Sequence, residues 1–284
     1  MEDQSIDTIA RSISVSQLTQ HFGSAKQPLI IDVRAPATFN AESTMIAGAT
    51  WRDPFTINDW LKYLTCHRDI VVYCDHGFEV SGNACSAMRD AGINAAFLEG
   101  GFEAWKKADA PTMQKLPGCN IPSQINAPSV WVTRERPKID RIACPWLIRR
   151  FIDPFAVFLY VPAAQVLNVA QEKNAVAYDV PNAQFSHRGP NGELCSFDAF
   201  IAEFHLSDPV LQQLAAIVRG ADNGRPELTP QSPGLMAVSL GLSALYPNDH
   251  DMLEQGMVIY DALYAWLKNA RNEIHNADLF KRAS

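Results

Sequence analysis

Three short apolar runs, set between amphipathic segments, constrain this chain more than any other feature. They are Leu29-Ile30-Ile31-Asp32-Val33, Ile70-Val71-Val72-Tyr73 and Ala95-Ala96-Phe97-Leu98. Runs of this length without polar alternation read as strands buried on both faces, and such strands belong to parallel sheets covered by helices. The segments Val15 to Phe22, Ser81 to Ala91 and Phe102 to Lys107 supply the helices. The first part of the chain is therefore expected to be an α/β domain.

After Ala110 the pattern changes. Pro111, Pro117, Gly118, Pro122 and Pro128 punctuate a polar stretch without periodicity, which reads as a linker. Beyond it come the strand-like runs Val130 to Thr133, Val157 to Val161 and Ala175 to Tyr178. Helical patterns follow over Phe197 to Phe204, Pro209 to Arg219, Pro233 to Leu245 and Asp249 to Lys268. Strands first and helices later imply an α+β, mainly helical second domain. The expected organisation is a domain over 12–112, a linker over 113–128 and a second domain over 129–275, which a length of 284 residues accommodates.

The start of the chain, Met1 to Ser12, is polar and acidic, and no apolar run is long enough to span a bilayer, so a cytoplasmic location away from membranes is expected. Six cysteines, at 66, 74, 85, 119, 144 and 195, lack C-x-x-C spacing and read as reduced thiols. A net charge of −7 argues against DNA as a partner, because counterion release needs clustered Lys and Arg.

Cys74 closes the second apolar run, and Asp75-His76-Gly77-Phe78-Glu79-Val80-Ser81 leads from it into a helical pattern. A thiol at the C-terminal end of a strand, feeding a helix N-terminus, lies where backbone N–H groups and the helix dipole stabilise a thiolate or an anion. Gly77 gives the freedom to curl such a loop, and Ser81 reads as the helix N-cap. Taken alone, a cysteine after a strand is more often a small buried hydrophobe than a nucleophile.

The surrounding residues favour chemistry, since the chain resembles the rhodanese family in four places. These are Ile31-Asp32-Val33-Arg34 with Phe39, the step Ala47-Gly48-Ala49, Tyr73-Cys74-x-x-Gly77, and Leu98-Glu99-Gly100-Gly101-Phe102-x-x-Trp105. The resemblance implies that Cys74 takes up a sulfane sulfur as a persulfide and passes it on. The partners would be a small-molecule sulfur donor and a thiol acceptor, with no cofactor in this domain. Main-chain N–H groups of the loop from Asp75 to Val80 would cradle the sulfur, and Asp32 and Arg34 would be structural.

Two departures stand out. The segment Met45 to Ala49 keeps only part of the family's usual stretch, and the loop carries Asp75 and Glu79 but no Arg or Lys. An acidic loop repels a dianion such as thiosulfate, so a persulfide or polysulfide donor is expected instead. Phosphatase or arsenate chemistry on a similar loop would call for a terminal Arg to clamp the oxyanion, whereas Val80 and Ser81 stand here.

The second half resembles the domain of chromate-resistance proteins of the B type. The stretches that carry this likeness are Trp131 to Pro154, Glu193 to Asp198, Ile217 to Asp222, and Asp249 through Asp261. It implies a link to chromate, oxyanion or metal stress without naming a reaction. A non-enzymatic regulator that uses the rhodanese fold as a redox or docking module is the alternative. Pro145 reads as first-turn proline, placing Cys144 near an N-cap, and Ser196 reads as the N-cap after Cys195. His187, Cys195, Asp222, His250 and Glu254 could assemble a divalent metal site, although capping and ordinary turns account for the same residues. Arg134, Arg136, Lys138, Arg141 and Arg149 could form an oxyanion pocket or a solvated, ion-paired face.

Overall fold

The computed structural model describes residues 11–64, 68–115 and 128–273. Cys66 and Cys119 lie outside them. In the first domain the chain forms β1 (Ser12–Ile13), α1 (Val15–Gln20), β2 (Leu29–Asp32), α2 (Pro36–Ala41), β3 (Thr44–Ile46) and β4 (Ala49–Trp51). It continues through α3 (Ile57–Leu61), β5 (Ile70–Tyr73), α4 (Glu79–Asp90), β6 (Ala95–Leu98), α5 (Gly101–Lys107) and β7 (Thr112–Gln114). Five strands make one parallel sheet in the order β1-β6-β5-β2-β4. The three apolar runs are its centre, and β2 and β5 are buried along their full length.

Alternation along these strands divides the core. Leu29, Ile31 and Val72 face Met88, Ala84 and Trp60 on one side. Ile30, Val71 and Tyr73 face Leu18, Phe22, Phe102 and Trp105 on the other. This is the α/β architecture expected, with helices on both faces of a parallel sheet.

The second domain adds β8 (Val130–Arg134), α6 (Asp140–Phe151), β9 (Val157–Val161), α7 (Val166–Lys173), β10 (Val176–Ala177), α8 (Ser196–Glu203), α9 (Pro209–Asp222), α10 (Ser232–Leu245) and α11 (Asp249–Ala265). Its small parallel sheet runs β10-β8-β9, and helices make up the rest. Buried aromatic rings fill the space between them. Phe185 stacks on Phe200 at 4.3 Å, and Trp146 meets both Phe151 and Tyr264 at 5.6 Å.

Several local expectations need correction. Met113 and Gln114, read as linker, are strand residues that pair with β3. Pro145 is inside α6 rather than in its first turn, and Cys144 is a mid-helix core residue. The helix extends further back because Asp140 begins it, ahead of the position at which a proline would be cheapest. Ser196 is the first helical residue of α8, and Cys195 takes the cap position.

The two halves share one hydrophobic core. Phe22 contacts both Trp105 and Phe151, at 5.2 and 6.1 Å. The backbone N–H of Gly48 donates to the Phe151 carbonyl at 2.7 Å, and the Gln27 amide donates to the Arg150 carbonyl at 2.9 Å. Gly23 has φ +71°, and a Cβ there would strike the Tyr264 ring at 2.3 Å, so only glycine lets α11 approach this closely. Among the described residues no helix is long and apolar enough to cross a membrane.

Candidate active site

All five strands of the larger sheet point the same way, so their C-terminal ends form one rim, where α/β folds place their ligands. Cys74 follows β5 on that rim. Its carbonyl accepts the Phe102 N–H at 2.8 Å, and the Asp75 carbonyl accepts the Glu103 N–H at 3.0 Å. The first turn of α5 thus engages carbonyls of the loop. Close approach of the two segments depends on glycine. A Cβ on Gly77 would lie 2.4 Å from the Leu98 carbonyl oxygen, and one on Gly101 would lie 2.3 Å from that of Cys74.

The Cys74 thiol is 7% exposed. Its Sγ is 3.2 Å from Ser81 Oγ, and the backbone N–H groups of Gly77, Phe78 and Ser81 face it. Burial raises its pKa, but the Ser81 hydroxyl and these N–H groups outweigh burial and hold it below the ordinary 9.0. Ser81 corrects a sequence expectation. Phe78 is the N-cap of α4, and Ser81, two residues into the helix and fully buried, turns its hydroxyl onto the thiol instead.

A measurable consequence follows. Alkylation of Cys74 by iodoacetamide should reach half its plateau rate below pH 9.0, because the thiolate persists to lower pH when its pKa is depressed. Ser81→Ala should move that midpoint upward. Mass spectrometry of the Cys74 peptide across a pH series checks this, and an unchanged midpoint would remove the hydroxyl's assigned role.

Of the remaining loop residues, His76 and Glu79 are exposed, Asp75 and Val80 are half-buried, and Phe78 is 75% exposed. Burial raises the Asp75 pKa, opposed by the positive charge of Arg34. Cys85 lies in the core behind the loop, and burial raises its pKa too. Behind β5, Asp32 and Arg34 form a fully buried ion pair at 2.6 Å, away from the thiol's first contacts. The Tyr73 hydroxyl donates to Asp32 at 2.8 Å and accepts the Ile46 N–H at 3.2 Å. Both residues are thus built into the fold.

In the second domain the structure brings together His187 and Asp222, but not the other three residues proposed as metal ligands. Cys195 Sγ lies 3.4 Å from Asp198, and burial pushes its pKa well up. His250 packs edgewise on Tyr160 at 5.4 Å, while Glu254 pairs with Arg149 at 2.7 Å. In their place stand Asp140 and Asp179, which sequence reasoning missed as ligands. His187 Nε2 is 3.6 Å from Asp140 Oδ2, 3.4 Å from Asp179 Oδ1 and 3.3 Å from Asp222 Oδ2.

The three carboxylates around the ring push the His187 pKa up to about 12. Burial, reinforced by the charge of Asp179, raises Asp140 to about 7. Ile139, immediately before Asp140, has φ +44°, a strained conformation for a β-branched residue, held by hydrogen bonds to Ser239 Oγ and Tyr260 Oη.

The five basic residues proposed for an oxyanion pocket are not assembled into one. Arg134 and Arg141 both engage Asp179, at 2.6 and 3.2 Å. Arg136 donates to the Ser243 and Pro247 carbonyls, and Arg149 is committed to Glu254. Lys138 is half-buried beside the start of α6. Carboxylates and carbonyls had equal claim on these groups, and local spacing could not reveal which would prevail.

Comparison with known proteins finds one family match in each half of the chain. The family described as "Rhodanese-like domain" matches residues 14–108, and "ChrB, C-terminal domain" matches residues 131–267. Protein ChrB of Cupriavidus metallidurans is 34% identical over 142 residues, covering 50% of this chain but only 41% of that protein. Thiosulfate sulfurtransferase GlpE of Shewanella oneidensis is 33% identical over 101 residues, covering 35% of this chain and 96% of that protein. A solved rhodanese-related protein from Thermoplasma volcanium aligns at 25% identity with a TM-score of 0.32, over 36% of this chain and 96% of that one. Its second half is similar to the ChrB C-terminal domain over residues 131–267, and through its first domain the chain belongs to the rhodanese-like sulfurtransferase family.

Proposed function

We propose that this protein transfers sulfane sulfur through a persulfide on Cys74, and that it draws sulfur from persulfide or polysulfide donors in preference to thiosulfate. One observation carries the reading. The thiol sits at the C-terminal rim of the sheet, with the Ser81 hydroxyl at 3.2 Å and the N–H groups of Gly77, Phe78 and Ser81 turned toward it.

The chemistry needs no group beyond donor and acceptor. The Cys74 thiolate attacks the outer sulfur of a donor persulfide; its S–S bond breaks and the donor leaves as a thiolate. The new terminal sulfur carries the negative charge that the loop N–H groups stabilise. An acceptor thiolate then attacks this outer sulfur, the Cys74 S–S bond breaks, and the Cys74 thiolate returns.

Donor preference rests on the loop's charge. GlpE of Shewanella oneidensis is named for thiosulfate. In this chain residues 75 to 80 contain Asp75 and Glu79 and no Arg or Lys, while Phe78 adds an exposed apolar side chain to the loop. A dianion meets repulsion there that a monoanionic or neutral donor largely avoids. The ChrB-type second domain supports a setting of chromate, oxyanion or metal stress for this chemistry.

Sulfur transfer to cyanide, measured separately from thiosulfate and from glutathione persulfide, tests both parts. Turnover from the persulfide should exceed that from thiosulfate by about tenfold or more, the effect of roughly 1.4 kcal/mol of differential electrostatics. Equal turnover would sink the donor preference. Turnover with neither donor would favour a regulatory protein that uses the rhodanese fold as a redox or docking module.

A further inference from the structure

Four side chains from four separate stretches converge in the second domain. Asp140 opens α6, Asp179 follows β10, His187 lies in the following loop and Asp222 ends α9. Three carboxylate oxygens surround His187 Nε2 at 3.3, 3.4 and 3.6 Å. A ring nitrogen carries at most one proton, which cannot serve three acceptors, and these separations exceed the ~2.7–2.9 Å of a charge-assisted hydrogen bond. They match another arrangement. Ligand atoms about 2.1 Å from a shared tetrahedral ion lie about 3.4 Å from one another, and among these side chains one oxygen each of Asp140 and Asp179 and one nitrogen of His187 all lie within 4.8 Å of one another, a set that Asp222 does not join.

The charge balance points the same way. Asp140 is 2% exposed and is aimed into the cluster, yet among the described residues no Lys or Arg pairs with it. Its other contact is the Ser196 N–H at 3.3 Å. Arg134 and Arg141 both go to Oδ2 of Asp179, leaving Oδ1 turned toward the ring. A protonated His187 offers one positive charge to three carboxylates, and a divalent ion that displaces the ring proton would supply two.

An outer shell is already in place. His187 Nδ1 lies 3.4 Å from the Gly192 carbonyl, a partner that favours the tautomer with a free Nε2 lone pair. Asn223 in turn bonds the carbonyls of Gly192 and Glu193, holding that loop against the end of α9. Ser196 Oγ donates to Asp179 Oδ1 at 3.1 Å. His187 is 34% exposed on its side chain, which leaves an entry path.

We propose that Asp140, Asp179 and His187 form a binding site for one divalent first-row transition-metal ion, in the range from Mn2+ to Zn2+, with Asp222 beside the ring. Two carboxylates and one imidazole give an oxygen-rich set of borderline hardness. The imidazole disfavours Ca2+ and Mg2+, and the absence of thiolate from the set disfavours Cu+. Cys144 and Cys195 stay in the core behind it as neutral thiols.

The test uses the full chain in a Cys74→Ser background, so that the catalytic thiol adds no Zn2+ equivalent of its own. After chelator treatment, MnCl2 and ZnCl2 are titrated in separate experiments. Mn2+ uptake is followed by electron paramagnetic resonance and Zn2+ uptake by calorimetry. One equivalent of at least one ion should bind and raise Tm. His187→Gln and Asp179→Asn should each weaken binding by about 100-fold or more, and Ser196→Ala by about tenfold. Circular dichroism shows which variants fold, and His187→Gln, at the more exposed edge of the site, serves if the buried variants do not. Saturable uptake of neither ion, or uptake unchanged by these substitutions, would overturn the site in favour of an ion-paired histidine cluster. Loss of the equivalent in Cys144→Ser with retention in His187→Gln would also overturn it.

Discussion

Replacing Cys74 by serine is expected to lower persulfide-to-cyanide sulfur transfer by at least about a thousandfold, because it removes the atom that forms the covalent intermediate. The substitution is nearly isosteric, and the thiol contributes little to the fold beyond packing beside Ala84 and Cys85. Far-UV dichroism and thermal midpoint should therefore stay close to wild type while turnover disappears. Two controls sharpen the result. Cys85→Ser should keep turnover, since its thiol is buried in the core and its pKa is raised rather than lowered. Ser81→Ala should retain turnover at high pH and lose more of it toward neutrality, because the thiolate fraction falls there first. Residual turnover in Cys74→Ser within tenfold of wild type would show that sulfur travels by another route.

The thiol site was legible in the sequence because its parts are contiguous. Strand, thiol, Gly77 and helix follow one another within about a dozen residues, and the partner turn Gly100-Gly101 carries its own signal. What sequence could not show was the direction of a hydroxyl. Ser81 has the chemistry of an N-cap, yet the helix begins two residues earlier and the side chain points to sulfur. The carboxylate cluster was only half legible for a different reason. His187 and Asp222 attract attention singly, whereas nothing in the local sequence marks Asp140 or Asp179 as ligands, and Asp179 also pairs with Arg134 and Arg141. Their convergence depends on how α6, α9 and the β10 loop pack, and no local spacing encodes it. The same limit hid the shared core. Phe22, in the turn after α1, and Phe151 and Tyr264, on α6 and α11, are ordinary aromatic residues of separate segments, and only their contact beside Gly23 shows that the two domains fold against each other.

The largest expected effect on stability lies at Arg34. Replacing it by methionine should cost about 3–5 kcal/mol, the loss typical when one member of a buried ion pair is removed. Arg34 and Asp32 are both fully buried and joined by several hydrogen bonds, including the Nη2 to Oδ2 contact at 2.6 Å. The guanidinium also donates to the Thr44 carbonyl at 3.1 Å, tying β3 to the end of β2, and lies 4.4 Å from the centre of the Phe102 ring. Methionine restores much of the apolar volume but leaves the Asp32 charge with the Tyr73 hydroxyl and one backbone N–H as partners. Against a total stability of about 5–15 kcal/mol, that loss moves the denaturation midpoint far. Urea denaturation should show it as a lowered midpoint with little change in slope. Replacing Asp32 by leucine as well removes the stranded charge, so the double variant should regain part of the loss. A single variant within about 1 kcal/mol of wild type would mean that water reaches the pair in solution, and that its burial does not set the stability of the sheet.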